Sequence, residues 1–172
     1  MASEQPKHHQ EPPKVEFALD ERRKALTSLL KHTLNEFEPE IEASLDEVVV
    51  TIRPDQVVQI GYLLRDNAAT HCDYLRCLSV VDYEERLEVV YHLYSMDKNH
   101  QFVLKTNLSP DNPQLPSVTE IWPGADWYER EGHDLFGIIF DGHLDLAPLL
   151  LYEGFEGHPG LKSYPINDYR EW

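Results

Sequence analysis

The stretch YLRCLSVVDYEERLEVVYHLYSMDKNHQFVLKTNL, residues 74–108, contains three runs rich in β-branched and aromatic residues, at 74–83, 87–96 and 101–108. Such runs favour extended backbone, because branched side chains pack well on a pleated surface. The linkers at 84–86 and 97–100 are short and polar, so the runs are expected to pair as antiparallel hairpins. In LEVVYHLYSM, Glu88, Val90, His92 and Tyr94 alternate with Val89, Tyr91, Leu93 and Ser95. One face of the sheet should therefore be mostly apolar and the other mixed.

Upstream of this meander lie helical signals. Leu26, Leu29, Leu30, Leu34 and Phe37 recur at helical spacing between charged residues, which predicts an amphipathic helix of about five turns ending near Pro39. VVVTI at 48–52 reads as a strand. Pro54 and Asp55 then open a second helix with Val57, Ile60, Leu63 and Leu64 inward, ending near Asn67. Residues 1–16 carry prolines, glutamines and charges with almost nothing to bury and read as a disordered lead-in. Downstream, DNPQLP at 111–116 breaks the sheet with two prolines. After Pro123 and Gly124 a further helix is expected to begin near Ala125 or Asp126. The expected fold is α+β with two layers, a mixed or antiparallel sheet covered by helices, followed by a C-terminal helix and an extended irregular tail. Its expected organisation is a lead-in at 1–16, one α+β domain at 17–142, and a strap at 143–172.

Charge limits the partners. Fifteen basic against 31 acidic residues give a formal charge of −16, which repels nucleic acid and anionic lipid. From Asp126 onward there are ten acidic and three basic residues, so the excess is not confined to one end. The longest nearly apolar run, 146–152, is too short to span a bilayer. MASEQPKHHQEPPK lacks the apolar core of a secretory signal, which leads to the expectation of a cytoplasmic chain. Cys72 and Cys77 in CDYLRC could form a disulfide, contribute half of a metal site, or stay reduced as small apolar groups. The last is preferred.

The densest chemistry is WYEREGHDLFGIIFDGH, residues 127–143. Arg130 lies four residues from both Asp126 and Asp134, and on a helix can pair with either. Glu129 and Glu131 are two apart and point in different directions, so ionic use is expected rather than shared proton transfer: one to Arg130 and its surroundings, the other to a neighbouring subunit. Gly132 weakens the helix by about 1 kcal/mol unless close packing requires it. Asp141, His143, Asp145 and His158 could be divalent-metal ligands in a hydrolase. The alternative, that the two histidines satisfy backbone groups in a tight-turned tail, needs fewer further ligands. No Walker loop, dinucleotide fingerprint or nucleophile motif occurs.

With WPGADWYEREGHDLFGI, YLRCLSVVDY and LEVVYHLYSM together, the chain resembles the 30 kDa subunit family of the proton-pumping NADH:quinone oxidoreductase, complex I, over about 45–165. The family signature falls on Glu129, Arg130, Glu131, Asp134, Leu135, Phe136 and His143. The resemblance implies a peripheral subunit on the cytoplasmic side of the cell membrane, reaching the membrane only through the complex and binding no nucleic acid. It implies no active site, cofactor or metal in this chain, with FMN, iron–sulfur clusters and quinone carried by other subunits. The partners implied are the large hydrogenase-like subunit and neighbouring hydrophilic-arm subunits. The signature residues, with Gly137, Gly142, Asp145, Gly157, His158, Pro159, Tyr164 and Pro165, are the expected partner interface. A ferredoxin-, deazaflavin- or hydrogenase-linked membrane complex is the alternative setting. Ala147, Pro148 and Leu161 stand where the family usually has arginines, which leads to the expectation that a partner has neutral residues opposite them.

Overall fold

The computed structural model describes residues 21–44 and 47–165. The lead-in at 1–16 and the first residues of the expected leucine-rich helix lie outside them. Helix α1 spans Glu21–Thr33 and is followed by a 3₁₀ turn at Asn35–Phe37. It ends earlier than its leucine pattern predicts, because the chain tightens after Thr33 and Glu38, with φ of 49°, turns it back. Leu26, Leu30 and Leu34 are nevertheless all buried.

Strand β1 (Glu40–Ser44) pairs antiparallel with β2 (Glu47–Ile52). The sequence reading missed β1, whose EIEAS alternates but is short, charged and has only Ile41 and Ala43 as apolar positions. Pro54–Gln56 forms a 3₁₀ turn leading into α2 (Val57–Asp66), where proline costs nothing because its missing N–H would have no helical partner. Val57, Ile60 and Leu64 face the core as expected, while Leu63 is partly buried.

The meander forms as read. Strands β3 (Tyr74–Asp82), β4 (Leu87–Ser95) and β5 (His100–Leu108) make two antiparallel ladders. The five-stranded sheet runs β1-β2-β5-β4-β3, and β2 joins β5 in parallel, so the sheet is mixed. Leu87, Val89, Tyr91 and Leu93 point into the main core with the helices. On the opposite face Val49, Val90 and Val103 form a small cluster beside the Glu88–Lys105 ion pair, 2.9 Å.

DNPQLP does more than break the sheet. Gln114–Pro116 is a strand, β6, and pairs in parallel with β7 (Ile139–Asp141). Proline is tolerated at the end of so short an edge. Between them lies helix α3 (Ala125–Phe136), packed on β3. Gly132 is where α3 comes closest to its neighbours: a Cβ there would lie 3.3 Å from Phe140 and Val80, so the helix accepts glycine for the sake of packing. From 142 to 165 the chain has turns and bends and no helix or strand. No helix among the described residues is long and apolar enough to cross a membrane.

Candidate docking site

Helix α3 spends most of its charged residues within the chain. Glu129 is completely buried; its carboxylate accepts hydrogen bonds from the Ser117 hydroxyl (2.7 Å) and the Val118 amide (2.7 Å). Burial pushes its pKa up, these two donors and nearby His143 pull it down, and Asp126 raises it further, leaving it above the usual carboxylate value. The His143 side chain is only 1% exposed. Its Nδ1 accepts the Asp145 amide at 3.0 Å, so in the neutral ring the hydrogen sits on Nε2. Nε2 lies 3.1 Å from Asp126 and 4.0 Å from Glu129, near both carboxylates but without hydrogen-bond geometry to either. The contact is electrostatic and holds the turn after β7 against the start of α3.

Arg130 pairs with neither Asp126 nor Asp134, contrary to the spacing argument. Its Nε donates to the Ala147 carbonyl (3.1 Å), an η nitrogen donates to that of Pro148 (3.2 Å), and the guanidinium lies over the Trp127 ring, 5.3 Å from its centre. Asp134 Oδ2 accepts the amides of Leu149, Leu150 and Leu151 at 3.2, 2.8 and 2.9 Å. Three successive N–H groups on one carboxylate oxygen form an anion-binding nest. Burial works to raise the Asp134 pKa, but the three amides outweigh it and hold the carboxyl below its ordinary value. Hydrogen-bond satisfaction decides these pairings: a strap laid along a helix brings backbone groups away from water, and leaving them unpaired costs more than an exposed ion pair gains.

The strap follows α3 to its end. His158 Nδ1 donates to the Asp134 carbonyl (3.1 Å) and Gly160 N–H to that of Leu135 (2.9 Å). Gly137 caps the helix with φ of +75°, and a Cβ there would lie 2.7 Å from the His158 ring. A Cβ on Gly160 would meet Leu135 O and the Phe136 ring within 2.9 Å, while Gly157, φ +86°, lies under Tyr164. Leu135 and Phe136 are half-buried, Phe136 against the main core. Glu131, half-buried, lies where its charge raises the pKa of Cys77, whose larger shift comes from burial. Gly142 (φ +86°), Asp145, Pro159 and Pro165 are at the surface. Leu161, where the family usually has an arginine, is partly buried against the chain's own core.

The metal constellation is not assembled. His143 sits at the start of α3 and His158 at its end, each bound to backbone as the tight-turn reading expected. Among the described residues no group of three or more His, Cys, Asp and Glu side chains converges to hold an ion. Cys72 is buried, its thiol pushed up to about 12 by burial and by Asp73, and is not joined to Cys77. The sequence reading missed Ser117 and Val118 as the partners of Glu129, and the nest at 149–151. Only the Ser-Val-Thr turn offered a hint, as a place with donors and no helix to use them. It also passed over Trp127, an aromatic on a helix surface three residues from an arginine.

Fold and site together define an α+β module whose last helix holds its own C-terminal strap through backbone-directed charges. The chain belongs to the family described as the respiratory-chain NADH dehydrogenase 30 Kd subunit, whose model matches residues 50–170. Relatives named as the C subunit of NADH-quinone oxidoreductase include that of Roseiflexus castenholzii, 44% identical over 123 residues, covering 70% of this chain and 71% of the relative. The Caulobacter vibrioides protein is 45% identical over 128 residues, covering 73% and 64%, and that of Salinispora tropica 42% identical over 124, covering 70% and 51%. The match thus spans only about half to two thirds of the last two relatives. Among solved structures, a trypsin-resistant fragment of Nqo5 matches with a TM-score of 0.60 at 28% identity, covering 70% of this chain and 98% of the fragment. A chain of a membrane-bound sulfane sulfur reductase, an archaeal respiratory membrane complex, shares the fold with a TM-score of 0.69 at 22% identity, covering 81% and 85%.

Proposed function

We propose that this chain is a non-catalytic accessory subunit in the hydrophilic arm of a proton-pumping NADH:quinone oxidoreductase, on the cytoplasmic side of the membrane. In this role it assembles and shapes the quinone-reducing module against the large hydrogenase-like subunit, while flavin, iron–sulfur clusters and quinone belong to other subunits. The observation that carries this reading is the use of the signature charges. Glu129, Arg130 and Asp134 are each bound to hydrogen-bonding groups of this chain, so the signature builds a shaped surface rather than presenting free acid–base groups. Kinship with proteins named as NADH-quinone oxidoreductase subunits supports the setting.

Affinity purification of the tagged chain under native conditions, from cells that make the complex, tests this. The expected result is co-purification of the hydrogenase-like subunit in equal amount. Recovery of the chain alone, or with stoichiometric flavin, cluster or quinone bound to the isolated chain, counts against it.

A further inference from the structure

Trp127, Leu144, Leu150 and Tyr152 lie on or beside the track where the strap follows α3, and are 60%, 100%, 59% and 71% exposed. They do not ride on a loose segment. The backbone around them is tied to α3 through Arg130 to Ala147 and Pro148, through Asp134 to the amides of Leu149, Leu150 and Leu151, and through Gly160 to Leu135, while the His143 ring lies 3.1 Å from Asp126. Apolar groups left in water on a held backbone add little to this chain's own core, and several of them along one track mark a surface made to be covered.

We infer that this ridge docks a different protein, one presenting apolar recesses rimmed by lysine and arginine. Charge selects the occupant. Asp141, Asp145, Glu153 and Glu156 are exposed along the same segment. Among the described residues the basic side chains of this segment are Arg130, held by two carbonyls, and Lys162, whose ammonium lies 4.0 Å from Glu84. A second copy would set these acids against themselves, and an anionic membrane would repel them. A basic rim complements them. The expected interface set therefore divides in two: Arg130, Asp134, His143 and His158 hold the strap while Glu129 fixes the Ser117–Val118 turn beneath α3, and the side chains around them meet the partner. This rests on the proposed subunit role and specifies its contact surface.

The test uses the full chain in cells that make the complex. A photo-crosslinking amino acid replaces Leu144 or Leu150, with Glu40 on the far edge strand as reference, and the crosslinked peptides are mapped. In parallel, Trp127→Ala combined with Leu150→Ser is scored for retention in the purified complex. Expected are crosslinks from 144 and 150, not 40, to a surface with more lysine and arginine than acid, and retention weakened on the order of tenfold or more with an unchanged Tm. Crosslinks to a second copy, or none while the complex co-purifies and retention is unaltered, overturn the ridge and leave the subunit role standing. Crosslinks to a basic surface on a protein outside any respiratory complex uphold the ridge and overturn the role. A wild-type chain that neither co-purifies nor crosslinks overturns both.

Discussion

Glu129 and Asp134 lie on one helix, are both poorly exposed, and have opposite pKa shifts. Glu129 is raised above its ordinary 4.5, so the folded state holds its proton to higher pH than the unfolded state. Its contribution to stability is complete below that value and is lost as pH rises through the folded pKa. Asp134 is lowered below 3.8, so its contribution is complete above that value and is lost as pH falls through the folded pKa. Two variants separate these effects. The Tm of wild type minus that of Glu129→Gln should decrease as pH climbs from about 4.5 and then level off. The Tm of wild type minus that of Asp134→Asn should instead grow as pH rises through the acidic range, reaching about 2 kcal/mol of stability near neutrality, the scale of charge-assisted hydrogen bonds. Differential scanning fluorimetry across pH measures both, and two differences moving in the same direction would refute the assignment. The residue types of this site were legible in the sequence, since only a charged helix reads EREGHD. Their partners were not: spacing names only neighbours on the same helix, whereas a backbone amide from a strap or turn has no side-chain signature.

Helix α3 and its strap meet most tightly at Gly137, where a positive φ and the His158 ring both exclude a side chain. Gly137→Ala should cost about 1–2 kcal/mol for the left-handed backbone alone. Displacing His158 adds to this, so a fall in Tm of about 5 °C is expected for a chain of this size. Hydrogen exchange should quicken at 158–161 and stay unchanged in β4 and β5, because only the far end of the strap loses its seat. An equal rise across the sheet would show that strap and core unfold as one. Elements differ in the same way in how readily sequence reveals them. The β3-β4-β5 meander could be read because its pairings are local and its linkers too short for anything but hairpins. The parallel β2–β5 pairing could not, since VVVTI carries the same apolar pattern whichever way its neighbour runs and that neighbour lies some fifty residues on. Strands β6 and β7 have three residues each, too few for any period to show, and β1 is an edge whose charges hide its two apolar positions.

For the whole molecule, the excess of acid bears on the folded chain as well as on its partners. With 31 acidic against 15 basic residues, compaction brings like charges together, and that self-repulsion opposes folding. The attractive pairs do not offset it: Lys24–Glu21 and Arg53–Asp55 lie at the surface, where such pairs contribute little. Screening should therefore relieve more repulsion than it removes attraction. Raising sodium chloride from about 10 to 150 mM shortens the screening length from roughly 30 to 8 Å, which silences the many distant like-charge pairs and leaves contacts such as Glu88–Lys105 largely intact. The isolated chain should gain a few degrees in Tm over that range, on the order of 1 kcal/mol. A partner with a basic rim would neutralise the same charges, so the gain should shrink or reverse once the complex has formed, because salt then weakens the attraction holding it together. Thermal unfolding of the free chain and of the purified complex over one salt series measures both signs. A free chain destabilised by salt would place the controlling charges in ion pairs rather than in the net excess.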